Sequence, residues 1–419
     1  MSAVVISNRW PAPLQTFRHG TAQRMRLMMR ATQQAVGGPL HLLLVAPYGT
    51  EWSTSHADAL REDFAQLWGV QVGAIVVEVD PQRPVAGLDS LWRGYLRPAT
   101  SIYRQYGYAR VVTPALQSGL ARLLAETRPA VVLAHRLQAM ALLRRSGLAT
   151  PPVVFDMDDI ESKAFVRNIA QPPLWRLKPL LRLQVPALRR TEAWAIRRAV
   201  RSFVCSDADA ADLNRHHSTQ RVLCAPNAVS APRPSPLPQA PAVLMLGTYG
   251  YEPNRVGAEW LIGSVWPEVM RRHGEARLVI AGNACDSIAQ YSDPPPGVEF
   301  AGFVDDLDAL YARTRIVACP IHSGGGTRIK IIEGALQGRP VVSTTLGAEG
   351  LVFRADAGEI VIADTPKDFA SAVCHLLDHV EACERIGRAA RLTAQRHYDE
   401  TEITSRVADA IREGCALNR

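Results

Sequence analysis

Residues 315 to 351 read RIVACPIHSGGGTRIKIIEGALQGRPVVSTTLGAEGL. The apolar run Ile316 to Ile321 has strand length and stops at His322, Ser323 and the glycines Gly324, Gly325 and Gly326. Thr327 is placed as the N-cap of a helix in which Ile329, Ile332 and Leu336 keep helical spacing. Gly338 and Pro340 stop that helix before a second strand, Val341 to Thr344. The result is one β-α-β unit. Glycines lacking Cβ let backbone N–H groups approach an anion, the helix N-terminus adds partial positive charge, and Arg328 and Lys330 add two cations in the first turn. A diphosphate fits such a turn. Glu333, about one and a half turns on, is within reach of a ribose whose two hydroxyls can donate to one carboxylate. The competing reading is a glycine turn of the kind any parallel sheet needs, with Arg328, Lys330 and Glu333 on a solvated helix face. The string is neither Gly-Lys-Ser/Thr nor Gly-x-Gly-x-x-Gly, which removes the P-loop kinases and the dinucleotide dehydrogenases.

Outward from this unit, the proline-rich stretch PNAVSAPRPSPLPQAP (226 to 241) disfavours helix and central strand and is the candidate hinge. Before it, strand-like runs fall near 3 to 7, 40 to 47, 74 to 79, 130 to 135, 151 to 156, 202 to 206 and 221 to 225. After it they fall near 243 to 248, 277 to 282, 298 to 303, 315 to 321, 341 to 344 and 359 to 363, alternating with helical patterns. Two Rossmann-like α/β domains are expected, facing each other across a cleft, with ligands bound beyond the strand C-termini. The boundaries are 1 to 228 and 229 to 399, with 400 to 419 crossing back to the first domain as a helix.

A chain of 419 residues, 47% hydrophobic and 21% charged, has ample core for two or three domains. Its seven cysteines show no CxxC spacing and suggest reduced, buried thiols in a cytoplasmic protein. MSAVVISNRWP lacks a secretory leader, and no run approaches the roughly 20 apolar residues that span a bilayer. A net charge of +7 raises nucleic acid as a partner, but no nucleic-acid motif accompanies it.

GGGTRIKIIEGALQGRPVVSTTLGAEGL (324 to 351) resembles the C-terminal signature of the retaining glycosyltransferases of family 4, the glycosyl transferases group 1. The likeness extends to LGTYGYEPN (246 to 254) and VEFAGFVDDLDALY (298 to 311), and more thinly to a loop around His19 and Gly20, to VVLAH (131 to 135), VVFDMDD (153 to 159), FVCSDADAADL (203 to 213) and CAPNAVS (224 to 230). The resemblance implies the GT-B fold and transfer of a sugar from a nucleotide-diphosphate sugar, with retention, to a glycan or lipid-linked acceptor in polysaccharide or glycoconjugate synthesis. It implies an acceptor domain first and a donor domain second, with no metal and no other cofactor. By the same resemblance Glu333 holds the donor ribose, Gly325, Gly326, Thr327, Arg328 and Lys330 the diphosphate, Val304 the base through its backbone, and His135 the sugar as the catalytic contact, while Gly247 and Asn254 line the donor side. Two positions depart from the family pattern. Gly325 stands where the first of a glutamate pair is usual, and only Arg255 follows the first strand of the second half, where an arginine and a lysine are usual. A sugar-nucleotide epimerase or hydrolase, or a non-catalytic sugar-nucleotide or glycan-binding protein, are the alternatives.

Three further features stay open at the level of sequence. His135 ends a strand, where a histidine titrating near neutrality serves a cleft, yet a lone histidine there is more often structural. Asp156-Met157-Asp158-Asp159 superficially resembles an Asp-x-Asp metal clamp, but a structural or acceptor-side role fits better because the glycine-loop cations already neutralise a diphosphate. The segment 171 to 201 carries eight basic residues against one acid, interspersed with Trp175, Leu177, Leu180, Leu181, Leu183 and Trp194. It reads either as a face for anionic membrane, at about 1 kcal/mol per cation near the surface, or as a solvated helix face interrupted by Pro179 and Pro186. The first reading places the protein at the inner face of the membrane.

Overall fold

The computed structural model describes residues 1 to 11, 13 to 14, 20 to 47, 49 to 79, 113 to 170, 176 to 230 and 235 to 417. His19 and Trp175 lie outside the described residues, as do 231 to 234 of the proline-rich stretch. The chain divides into two units, Met1–Pro226 with Thr401–Arg419, and Asn227–Glu400.

Among the described residues the first unit has seven strands: β1 (Ala3–Ser7), β2 (Leu40–Ala46), β3 (Val72–Val79), β4 (Val131–His135), β5 (Val153–Asp158), β6 (Arg201–Val204) and β7 (Val222–Cys224). They form one sheet in the order β3-β2-β1-β4-β5-β6-β7, and every pairing is parallel. Strands such as LHLLLVA and VVLAH are apolar at nearly every position because helices cover both faces of such a sheet. Helix Gly20–Val36 contributes Met25, Leu27, Met28 and Met29 to the buried side, and Arg24 among them. Helix Glu400–Ala416 packs here too, with the Arg412 guanidinium on the Gln34 carbonyl at 2.9 Å and Gly414 against the Arg201 side chain.

Among its described residues the second unit has six strands: β8 (Ala242–Leu246), β9 (Arg277–Ala281), β10 (Val298–Gly302), β11 (Ile316–Cys319), β12 (Val341–Ser343) and β13 (Val361–Ile362). Their order, β10-β9-β8-β11-β12-β13, is also parallel throughout. The chain runs outward from β8 to β10, returns to the middle as β11, and then runs out the other way. The strand order therefore reverses between β8 and β11, and in open α/β sheets the crevice beyond the carboxyl ends at that point is where ligands bind. Two apolar layers, one around Trp266 and Phe369 and the other around Tyr311 and Ile332, sandwich the sheet.

Candidate active site

The loops after β8 and β11 flank the reversal point, and their side chains meet. Lys330, on helix Ile329–Leu336, donates from Nζ to Asn254 Oδ1 at 2.9 Å. Asn254, on helix Glu252–Trp260, in turn donates from Nδ2 to the Thr248 carbonyl at 3.1 Å. A Cβ placed on Gly247 would stand 3.1 Å from the Asn254 amide and 3.3 Å from Lys330 Nζ, so glycine at 247 is what leaves the ammonium its room. Gly324 has φ +88°, which favours glycine, and a Cβ there would come within 2.6 Å of the Tyr251 hydroxyl. Gly247, Asn254 and Lys330, separated by up to 83 residues in sequence, are thus one constellation.

The helix bearing Lys330 and Glu333 is not a solvated face. Every residue from Ile329 to Leu336 is buried, with Lys330 at 9% and Glu333 at 8% exposure. Its neighbours explain this: Gly334 packs its backbone against Val317 and Val341, and Ile331, Ile332, Ala335 and Leu336 fill the core under β11. Burial holds the Lys330 ammonium below its ordinary lysine range. Among the described residues no carboxylate lies within ion-pair distance of it. Its hydrogen-bond partner is a neutral amide, and the charge of Glu333 on the same helix offsets the lost hydration only in part. Glu333 lies near Tyr311, whose phenol burial pushes up, with the Glu333 charge adding to the effect.

Two expectations for the glycine turn need correcting. Thr327 is not the N-cap: that position is Arg328, with φ −90° and no side-chain capping bond. The Thr327 hydroxyl instead accepts from Asn227 Nδ2 at 2.9 Å, fixing the turn to the start of the unit. Nor is Arg328 a second open cation. Its guanidinium donates to the carbonyls of Gly325 and Gly326, and at 3.3 Å to that of Ser323, so it staples the turn from within. The physical reason is that a tight glycine turn leaves carbonyls without partners, and the nearest guanidinium satisfies them. Val304 follows the end of β10 on the same edge of the sheet, partly buried against the layer containing Ile332.

His135, in the first unit, behaves differently from the sequence expectation. It ends β4 in register with Ser7 of β1 and Asp156 of β5, and the side chains follow that register. Its Nδ1 is 2.9 Å from the Ser7 hydroxyl and its Nε2 is 3.9 Å from Asp156 Oδ2. The imidazole is only 1% exposed. Burial, with the Arg136 charge second, pulls it down to about 3, so it does not titrate near neutrality and is a neutral ring at physiological pH. Asp156 Oδ1 accepts from Arg24 Nε at 2.9 Å and Nη2 at 2.6 Å, while Asp158 pairs with Arg136 and accepts from the Cys205 thiol at 3.1 Å. Both carboxylates of the Asp-x-Asp string are therefore taken by guanidinium groups. The backbone is strained at this spot: Arg136 and Asp158 have φ of 68° and 61°. Sequence reasoning missed Arg24 and Ser7; Arg24 shares its helix with Arg26 and Arg30, so no local pattern singled it out.

Residues 240–379 match the family described as Glycosyl transferases group 1. With the parallel sheet, the switch-point turn and that match together, the second unit carries a group 1 glycosyltransferase domain and the chain has the GT-B fold. Among solved structures it is similar to a sucrose-phosphate synthase from Thermosynechococcus elongatus, at 13% identity over 99% of both chains with TM-score 0.69. It is also similar to TarM from S. aureus, at 8% identity over 98% of this chain and 99% of that one with TM-score 0.66, and to HepE from Anabaena in complex with UDP and glucose, at 13% identity over 98% of both with TM-score 0.63. A curated relative, an uncharacterised 44.6 kDa protein of the cps region of Klebsiella pneumoniae, is 26% identical over 173 residues. That match spans 39% of this chain and 44% of the relative.

Proposed function

We propose that this protein is a metal-independent glycosyltransferase that moves a sugar from a nucleotide-diphosphate sugar to a glycan or lipid-linked acceptor in the cytoplasm, with retention of configuration. The observation that carries the reading is the buried Lys330 ammonium, bonded to the Asn254 amide beside Gly247 and the glycine turn and lacking a carboxylate partner among the described residues. A diphosphate supplies the missing negative charge, and as the leaving group it develops more of that charge during transfer. A lysine already in place does for the leaving diphosphate what a divalent cation does elsewhere, which is the ground for metal independence. Glu333 takes the ribose hydroxyls and the backbone at Val304 the base. Arg328 and Thr327 hold the shape of the turn, leaving its backbone at Gly325 and Gly326 to the phosphates. The resemblance assigns His135 to a sugar hydroxyl, and as a neutral ring it would act there as a hydrogen-bond partner and not as a cation.

The test is thermal unfolding of the full chain with UDP, GDP, dTDP and ADP in parallel. A ligand at 100 times its dissociation constant adds about 2.7 kcal/mol to native stability. One nucleotide should raise the transition, and the rise should vanish in Glu333→Ala. No shift with any of the four at millimolar concentration, with or without Mg²⁺, overturns the donor site. Sugar-nucleotide turnover without any acceptor would instead identify an epimerase or hydrolase.

A further inference from the structure

We propose that residues 176 to 190 of the first unit form an interface for an anionic lipid surface. The segment is not the amphipathic α-helix its composition allows. Lys178–Gln184 is a 3-10 helix, followed by α-helix Val185–Arg198. Three residues per turn bring positions spaced by three into one line, and Leu177, Leu180 and Leu183 occupy that line with 42%, 48% and 57% of their surface exposed. Pro186 and Arg189, both exposed, are the next positions at the same spacing. Three of the large exposed hydrophobic residues of the protein thus fall within seven positions of one another. Exposed arginines frame the stripe: Arg176, Arg182, Arg189 and Arg190. None of the four has a carboxylate within ion-pair distance among the described residues.

The lone acid of the wider stretch 171 to 201, Glu192, does not neutralise them at the surface. It is buried and accepts the Ser162 backbone N–H at 2.8 Å. Trp194, which composition offered to the lipid, turns inward under the Arg144 guanidinium, 4.8 Å from its ring centroid, and packs on the core. What remains outside is aliphatic in the middle and cationic around it, the chemistry of an acyl-headgroup boundary carrying negative charge. A second copy of the chain would set arginine against arginine. A nucleic acid would find aliphatic side chains where stacking needs aromatic rings.

Flotation of the full chain with neutral phosphatidylcholine vesicles and with vesicles containing about one-third phosphatidylglycerol tests the assignment. The chain should float with the anionic vesicles only. Leu177→Ser/Leu180→Ser/Leu183→Ser should weaken partitioning roughly tenfold, and Arg189→Gln/Arg190→Gln by a smaller factor, the latter loss being mimicked by raised salt. No flotation with anionic vesicles, flotation of the triple variant equal to the unaltered protein, or a leucine-dependent dimer in the absence of lipid would each overturn it. Should the triple variant fail to fold, Leu180→Trp gives the same answer: its emission should shift to the blue on adding anionic vesicles, and an unshifted spectrum rejects the interface.

Discussion

The two units bury charge in opposite ways. At the carboxyl ends of β1, β4 and β5, Arg24 is matched by Asp156 and Arg136 by Asp158, with His135 kept neutral between them. At the carboxyl ends of β8 and β11, Lys330 is also buried and has an amide for its hydrogen-bond partner. In the first unit each of these guanidinium groups has its carboxylate, while His135 Nε2 and Asp156 Oδ2 keep no hydrogen-bond partner. Lys330, compensated only in part by Glu333, is stable because packing elsewhere outweighs its desolvation, and an added anion would relieve it further.

The comparison is sharpened first by pH. His135 falls to about 3 in the folded chain from an ordinary 6.5. A group whose folded value is depressed contributes fully above its unfolded value, so this stability is present above pH 6.5 and is lost as pH falls from 6.5 towards 3. The loss approaches about 5 kcal/mol, offset in part by Asp156, which burial keeps above its ordinary range. His135→Gln should flatten the curve of melting temperature against pH over that interval; an unaltered acid limb would show that the imidazole is hydrated.

Next in size, Asp156→Asn strands the buried Arg24 guanidinium and should cost about 3–5 kcal/mol in denaturant unfolding. A loss under about 1 kcal/mol would mean that the cluster is not the closed network described.

In the second unit Lys330→Met should behave in the reverse sense. The nucleotide-induced stabilisation of about 2.7 kcal/mol should disappear from the melting curve while the ligand-free protein melts at the same temperature or higher, because the desolvated charge is gone. If the ligand-free protein is instead several degrees less stable, Lys330 is paired and the contrast between the units fails. The smallest effect is that of Asn254→Ala, about 1 kcal/mol from one lost hydrogen bond, read as weaker nucleotide affinity.

Much of this was legible before folding. The thirteen strand runs were found because buried parallel strands are locally apolar, and the glycine turn because Gly324 needs a left-handed φ that sequence advertises. The roles within the turn were less legible. Thr327 looks like a cap and Arg328 like an anion ligand from their local position, yet Asn227, a hundred residues away, takes the first and the loop's own carbonyls take the second. The basic segment reads as amphipathic by composition, but the 3-10 winding of Lys178–Gln184 lines up the exposed Leu177, Leu180 and Leu183, while Trp194 on the α-helix that follows packs on the core.

Sequence by itself therefore determined the alternation of strands and helices and the glycine turn with Lys330 and Glu333 behind it, since each follows from patterns within a few residues, whereas the strand order that reverses between β8 and β11 came from the structure. Tertiary structure alone decided that Lys330 is buried against Asn254 without a carboxylate, that His135 is neutral beside Asp156, and that Arg24 closes the first unit's charge cluster. Charge state depends on desolvation and on partners brought together from 21 to 132 residues apart, and no local pattern encodes either.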